Sequence, residues 1–155
     1  VAIAGDTLVT IDLGAALDGY VSDCTRTFAT GVPPARLTEA YAVCHEAQAR
    51  AVAAVRPGIS GNELDAVARD HIAAAGFGEF FRHGLGHGVG MEVHESPGAR
   101  PESNDILAVG MTITIEPGIY IPELGGCRIE DLCVVTESGC DIVTGFTKDL
   151  ITVGF

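Results

Sequence analysis

The stretch HGLGHGVGMEVHE at residues 83–95 concentrates side chains that could carry out chemistry. It contains His83, His87 and His94, three of the five histidines in the chain. The i, i+4 spacing of His83 and His87 matches the H-E-x-x-H zinc motif, but glycine rather than glutamate follows His83 and the glycines disfavour a helix. We therefore expect the glycines to allow tight backbone geometry beside a bound group, with an imidazole as a metal ligand.

Four carboxylates lie within apolar β sequence and offer oxygen ligands. Asp12 and Asp23 flank a turn predicted at 17–19, and Glu116 and Glu130 flank a second turn in PELGG. Because the midpoint of each pair falls in its turn, we expect the two members to face each other, roughly 5 Å apart at Cβ. Like charges in such positions are destabilising, and burial without partners costs several kcal/mol for each charge.

Two explanations of these acids remain open: they point to solvent on an exposed sheet face, or they converge on cations. Arg26 and Arg128 lie nearby in the sequence, but two cations do not balance four anions. One imidazole and four carboxylates suit a pair of divalent ions with shared ligands, about 3.5–4 Å apart, better than a structural zinc site. By ligand type we favour Mn²⁺, with Co²⁺ or Zn²⁺ as alternatives.

The elements that must position these residues follow an α+β pattern. Apolar residues recur at helical spacing in the first half, and Ser60 with Glu63 forms a capping box at the start of the second helix. β-Branched and aromatic residues around turn signals predict hairpins on either side. The predicted order is two strands within 7–30, helices at 35–55 and 60–76, and strands at 111–121 and 127–136.

The composition of the 155-residue chain excludes several classes of protein. The length suits a single domain, 1–155, and the net charge of −12 argues against a nucleic-acid partner. No apolar run is long enough to span a membrane, and the N-terminal stretch lacks the basic residues of a signal peptide. The five cysteines include no C-x-x-C pair, so we expect buried thiols in a reducing, cytoplasmic compartment.

Three segments resemble a known family. HGLGHGVGMEVHE resembles the signature of the Xaa-Pro peptidases, aminopeptidase P and prolidase, among the pita-bread metallopeptidases. TIEPGIYIPELGGCRIEDLCVVTESG is similar to the family segment with two glutamates, and GDTLVTIDLGAALDGYVSDCTRTF to the segment with two aspartates. The resemblance covers essentially the whole chain. It implies a curved antiparallel sheet with flanking helices, and hydrolysis of the bond between an N-terminal residue and proline in proline-containing peptides.

The resemblance also implies a role for each ligand. Asp12 would bind one metal ion, whereas Asp23 and Glu130 would bridge two. His87 and Glu116 would complete the ligands of the second ion. The implied nucleophile is a water activated by both cations, and Glu116 is the implied proton shuttle.

The remaining histidines receive different expectations. By the same resemblance, His94 would donate a hydrogen bond to the scissile carbonyl, and His83 would shape the pocket for the substrate's proline. Arg128 would support the ligands or contact substrate. A purely structural role is the alternative for His83 and His94. His45 and His71 lie on predicted helices outside the motifs, where we expect surface or capping roles.

The resemblance leaves several activities open. Val93 before the third histidine favours an Xaa-Pro peptidase over a methionine aminopeptidase, which typically has phenylalanine there, and the full ligand set argues against a creatinase. A non-catalytic binding module and an inactive fragment remain alternatives. Only eleven residues precede Asp12, whereas family members carry a substantial N-terminal part. We therefore expect a partial catalytic domain, whose exposed apolar surface would favour a homodimer.

Overall fold

The computed structural model describes residues 3 and 5–154, which form an α+β arrangement of two helices on short strands. Helix α1 spans Ala35–Ala54 and helix α2 spans Gly61–Ala74, close to the predicted bounds. Glu63 accepts a hydrogen bond from the Ser60 backbone at 3.0 Å, which confirms the capping box. The strands are β1 Thr7–Leu13, β2 Ala16–Leu17, β3 Tyr20–Val21, β4 Cys24–Thr30, β5 Gly86–Gly88, β6 Glu95–Ala99, β7 Thr112–Ile115, β8 Gly118–Ile121, β9 Gly125–Arg128, β10 Asp131–Val135, β11 Cys140–Ile142 and β12 Thr152–Val153.

Strands β1 to β4 form one long hairpin that turns at Asp18 and Gly19. Both turn residues have positive φ, 50° and 87°, which an Asp-Gly pair accommodates. The register sets Asp12 opposite Thr25, so the predicted direct pairing of Asp12 with Asp23 is wrong. The turn is centred one position later than the midpoint of the two aspartates. Because Asp23 lies two residues before Thr25, the aspartates are diagonal neighbours on one face of the hairpin.

The second hairpin keeps the predicted register. β7 pairs with β10 so that Ile115 lies opposite Asp131, and β8 pairs with β9 in the same register. Extending the β7–β10 ladder by one residue sets Glu116 opposite Glu130, as predicted. The two predicted strands are each interrupted at these glutamates. There the Glu116 N–H bonds to the Leu85 carbonyl and the Glu130 N–H bonds to the Thr25 carbonyl, so other segments are joined to the hairpin at these points.

The core lies between the helices and the strands. α1 buries one face of mostly small residues, including Ala40, Cys44 and Ala47, which lets it pack closely on β8 and β9. All five thiols are free in the part of the chain described here, and Cys44, Cys127 and Cys133 are buried as expected, with Cys24 and Cys140 half-buried.

The C-terminal segment returns to the first hairpin. β12 pairs with β4 in parallel over two residues, whereas the other strand pairs of the described residues are antiparallel, as expected. Within the described residues, neither helix combines the length and apolarity needed to cross a membrane.

Candidate metal centre

All five predicted metal ligands line one cavity of about 380 Å³. One ligand atom from each of Asp23, His87 and Glu130 lies within 4.8 Å of the others. The side chains of Asp23 and His87 are 12% and 17% exposed, and Glu130 is buried, so these groups do not sit on a solvated sheet face. The alternative of solvent-facing acids fits Asp12 alone, whose side chain is 53% exposed.

The ligands converge because they lie at or near the ends of strands from different sheets. Asp23 immediately precedes β4, Glu116 immediately follows β7, and Glu130 immediately precedes β10. Asp12 lies near the end of β1, and His87 is the middle residue of β5. Five separate strands therefore each present a carboxylate or imidazole to a common point.

Glu130 has an unsatisfied oxygen in this cavity. Its Oε2 accepts a hydrogen bond from the Thr25 hydroxyl at 2.6 Å, whereas its buried Oε1 has no partner among the described residues. Burial raises the pKa of Glu130 to about 8, and the charges of Glu116, Asp23 and Asp12 act in the same direction. A cation at this position would satisfy the free oxygen and offset the repulsion, so the residues fit a metal ion.

The imidazole of His87 is oriented as a ligand. Its Nδ1 donates to the Gly88 carbonyl at 3.1 Å, which leaves Nε2 facing Glu116 Oε1 at 3.0 Å and Asp23 Oδ2 at 3.7 Å. Burial opposes the charged imidazole, but the Glu116 hydrogen bond, the Gly88 carbonyl and the Asp23 charge outweigh it and raise the pKa of His87 to about 9. A proton on Nε2 thus occupies the place that a metal ion would take.

The charges of the other acids are set by their neighbours. Burial raises the pKa of Asp23, with further contributions from Asp12 and Glu116. Burial also acts to raise the pKa of Glu116, but the hydrogen bond and charge of His87 outweigh it and lower that pKa. Arg128 pairs with Asp12 through Nη2, and its Nε lies 3.7 Å from Glu116 Oε2.

His83 and His94 line an adjoining cavity of about 570 Å³ that shares His87, His94 and Glu116 with the first. His83 Nδ1 donates to the Gly84 carbonyl at 2.8 Å, so its Nε2 accepts from the Tyr120 hydroxyl at 3.1 Å. Burial lowers the pKa of His83, which favours the neutral ring. His94 is exposed, and its ring centroid lies 4.2 Å from that of His87. Both predicted histidines therefore flank the metal cavity.

Three hydroxyl groups in the site were not predicted. The Thr114 hydroxyl accepts from the His87 N–H at 3.0 Å and donates to Glu116 Oε1 at 2.9 Å, which links the two ligands. Thr25 holds Glu130, and Tyr120 joins His83 to Arg128 Nη1, 2.9 Å from its hydroxyl oxygen. The strand period could have revealed the threonines, because each lies two residues from a predicted ligand and so on the same face.

A partly buried ion pair fixes the start of the histidine stretch to α2. Arg69 Nε donates to Asp65 Oδ2 at 2.6 Å, and Asp65 Oδ1 accepts from the Leu85 N–H at 3.0 Å. Arg69 Nη2 also donates to the His83 carbonyl at 2.7 Å. By contrast, His45 and His71 lie half-buried on α1 and α2 and line neither cavity.

The chain is similar to known peptidases. The sequence profile of Metallopeptidase family M24 matches residues 2–137. The chain is 56% identical over 148 residues to the uncharacterized peptidase YqhT of Bacillus subtilis, covering 96% of this chain and 42% of that protein. It is 50% identical over 144 residues to an Xaa-Pro dipeptidase of Pyrococcus horikoshii, covering 93% of this chain and 41% of that protein.

A solved structure extends the similarity to the fold. The Xaa-Pro dipeptidase from Bacillus anthracis superposes with a TM-score of 0.93 at 48% identity, covering 94% of this chain and 41% of that one. The predicted pita-bread fold is confirmed. The chain spans about two fifths of the length of the curated relatives it matches.

Proposed function

The chain belongs to metallopeptidase family M24. From this premise we propose that it carries the metal centre of a peptidase that hydrolyses the bond between an N-terminal residue and proline. The names of similar proteins, Xaa-Pro dipeptidases among them, support this substrate class. The observation that carries the proposal is the buried, unpartnered Oε1 of Glu130 in a cavity lined by four further ligand residues.

Two divalent ions, Mn²⁺ by preference and Co²⁺ or Zn²⁺ as alternatives, are the proposed cofactors. Asp12, Asp23, His87, Glu116 and Glu130 would hold them. Four carboxylates and one imidazole provide too many oxygen donors for a structural zinc site, and they match ions that accept both oxygen and nitrogen. When bound, such ions supply Lewis-acid activation of water and of the scissile carbonyl.

Glu116 is the proposed proton carrier of the reaction. Its Oε1 is engaged by Thr114 and His87, whereas Arg128 Nε lies 3.7 Å from its Oε2. The lowered pKa of Glu116 keeps it ionised at neutral pH, so Oε2 can take a proton from the attacking water. It can then deliver that proton to the nitrogen of the leaving proline. Its position in both cavities suits this transfer.

The adjoining cavity is the proposed substrate site. His94 lies on its wall next to His87, where an N–H group can donate to the oxygen of the scissile carbonyl as negative charge develops. His83 is neutral and held by Tyr120, and its ring packs edge-on against Phe81 at a centroid distance of 5.1 Å. It therefore presents a fixed, uncharged surface that suits the apolar ring of proline.

The test is hydrolysis by this chain with Mn²⁺, followed by mass spectrometry. The peptides are an Xaa-Pro dipeptide, an Xaa-Pro-Yaa tripeptide and a peptide beginning Met-Ala. Cleavage confined to Xaa-Pro bonds supports the proposal, and the preferred length separates dipeptidase from aminopeptidase action. Cleavage after Met alone would indicate a methionine aminopeptidase-like activity. Tight Mn²⁺ binding without cleavage of any peptide would indicate an inactive fragment, and peptide binding without bound metal a binding module.

A further inference from the structure

A largely buried ionic network lies next to the metal centre, and its members line neither of the two cavities. Its centre is Asp131, which is 1% exposed and immediately follows Glu130. Asp131 Oδ1 accepts from Arg26 Nη2 at 2.8 Å. Asp131 Oδ2 accepts from Lys148 Nζ at 2.7 Å and from Gln48 Nε2 at 2.9 Å. Both carboxylate oxygens are thus bonded, and none of the three partners of Asp131 lines either of the two cavities described above.

Arg26 connects this network to the backbone of the metal site. Its Nη1 donates to the carbonyls of both Thr25 and Glu130. The Glu130 N–H in turn donates to the Thr25 carbonyl at 3.1 Å, and the Thr25 hydroxyl holds the Glu130 carboxylate. Because Thr25 is on β4 and Glu130 precedes β10, Arg26 joins two separate sheets where Asp23 and Glu130 approach each other.

The segment 146–148, near the C-terminus, supplies the remaining contacts of the network. Arg26 donates to the carbonyls of Phe146 and Thr147, at 2.7 Å and 2.9 Å, and the Tyr41 hydroxyl donates to the Lys148 carbonyl at 2.6 Å. Lys148 is 24% exposed on its side chain, so its charge joins the buried Asp131 to a segment near the surface.

We infer that Lys148 is a positioning residue for the metal centre, acting through Asp131 and Arg26 on Glu130. Asp131 has two oxygens and two cationic partners, so each cation fixes one end of its carboxylate. Removing Lys148 leaves Oδ2 with the neutral Gln48 amide but without its cation, which weakens the constraint on the orientation of Arg26. Arg26 then holds the carbonyls of Thr25 and Glu130 less firmly, and the separation of Asp23 and Glu130 is less well defined. The inference rests on the metal binding in the proposed function.

The test replaces Lys148 because its loss still leaves Arg26 paired with Asp131. Loss of Asp131 would leave the buried Arg26 without its ionic partner, and loss of Arg26 would remove the donor to four backbone carbonyls, so either change would endanger folding itself. The variants are Lys148→Met, Lys148→Arg as the conservative rescue, and Arg50→Met as the control. Arg50 pairs with Glu46 on the exposed face of α1, with both side chains more than half exposed.

Mn²⁺ affinity is measured by calorimetric titration, coordination by the visible spectrum of bound Co²⁺, and folding by circular dichroism and urea unfolding. We expect K148M to fold, to bind Mn²⁺ about tenfold or more weakly and to show an altered Co²⁺ spectrum. K148R should recover most of the affinity, and R50M should match the wild-type chain.

Two results would overturn the inference. One is wild-type Mn²⁺ affinity and an unchanged Co²⁺ spectrum in K148M, even with lower resistance to urea, because that pattern describes a purely structural salt bridge. The other applies if K148M does not fold. In that case Gln48→Leu is tested, because it removes a hydrogen bond to the same Asp131 oxygen and retains both cations. Wild-type Mn²⁺ affinity in Q48L would then show that the network does not position the metal ligands. A wild-type chain that binds no divalent ion would overturn the proposed function as well, which distinguishes the two failures.

Discussion

The Thr25 hydroxyl donates to Glu130 Oε2 at 2.6 Å, across the boundary between two sheets. The other oxygen of the same carboxylate is buried and has no hydrogen-bond partner within residues 3 and 5–154, so one side of Glu130 is held by the protein and the other is left for a cation. One oxygen of Glu130 thus has a protein donor and the other is free for a ligand. This arrangement explains how a carboxyl group whose pKa is raised to about 8 can be accommodated in the interior.

Glu130→Gln is expected to separate metal binding from folding. The amide keeps the shape of the side chain and cannot ionise, so it avoids the cost of folding a carboxyl whose pKa is raised to about 8, and the metal-free chain should be at least as stable as wild type. Mn²⁺ at a hundred times Kd should increase the free energy of unfolding of wild type by about 2.7 kcal/mol and so raise its melting temperature. This stabilisation should disappear in the variant. Differential scanning calorimetry with and without Mn²⁺ measures both effects.

The matched control is Glu137→Gln, which changes an exposed glutamate in the same part of the chain. It should keep the full response to Mn²⁺. An equal response in E130Q would show that Glu130 is not a ligand.

Thr25→Val and Thr25→Ser are expected to differ in metal affinity. Thr25 is buried, and valine has nearly its shape but lacks the hydroxyl, so Glu130 Oε2 would lose its donor. Partners that orient a metal ligand typically contribute 10–100-fold to affinity, so T25V should bind Mn²⁺ weaker by about that factor. T25S keeps the hydroxyl and should stay close to wild type. Calorimetric titration compares them, and equal affinities in T25V and T25S would remove Thr25 from the metal centre.

Much of this arrangement could be predicted from the sequence because each ligand lies in a short segment with a regular period. The register that faces Glu116 with Glu130 follows from a turn whose position the sequence marks clearly. The pairing of Asp12 with Asp23 failed because a two-residue turn with positive φ at Asp18 and Gly19 moves the centre by one position. A one-position shift of the turn changes the partner by two residues and so preserves the face.

The rest of the site depends on contacts that no local pattern encodes. Arg26 was expected near the four acids, yet its side chain pairs with Asp131 instead and bonds to four backbone carbonyls. The partners Gln48 and Lys148 are separated from Asp131 by 83 and 17 residues. Sequence spacing cannot specify such contacts, because they form only when α1 and the segment near the C-terminus pack on the sheets.

Metal binding at pH 7 is expected to release protons. In the metal-free chain, His87 has a pKa of about 9 and Glu130 a pKa of about 8, so both are mostly protonated at pH 7. A metal ion must displace these protons, so affinity should rise with pH until it levels off above about pH 9. Titration calorimetry in PIPES and in Tris, which differ in ionisation enthalpy, counts the released protons. Identical heats in the two buffers at pH 7 would contradict the assignment.

The stability of the metal-free chain is expected to fall as pH rises. The pKa of His87 is raised from 6.5 to about 9, so its contribution is fully present below pH 6.5 and is lost as pH rises through 9. The pKa of Glu130 is raised from 4.5 to about 8, so the folded chain binds this proton more tightly than the unfolded chain does. The resulting stabilisation is fully present below pH 4.5 and is lost as pH rises to about 8. Urea unfolding at pH 6 and pH 9 with a chelator measures the difference. Removing the two groups together in H87Q/E130Q should flatten the dependence.

Gly86→Ala is expected to abolish metal binding although Gly86 itself is not a ligand. A Cβ there would overlap the Thr114 carbonyl oxygen, which belongs to the backbone and has little freedom to move. The β5 strand would have to shift, carrying His87 away from Thr114 and Glu116. Such overpacking typically costs about 1–3 kcal/mol, and the displaced imidazole would no longer meet the carboxylates.

Gly145→Ala is the control, because a Cβ at Gly145 meets no atom within 4 Å. Urea unfolding and Mn²⁺ titration of both variants distinguish two effects. Lower stability together with lost Mn²⁺ binding in G86A, and neither change in G145A, would show that this glycine in the histidine stretch is needed for close backbone approach. Full Mn²⁺ affinity in G86A would show instead that His87 tolerates movement of its strand, and that the position of its imidazole is set by the carboxylates alone.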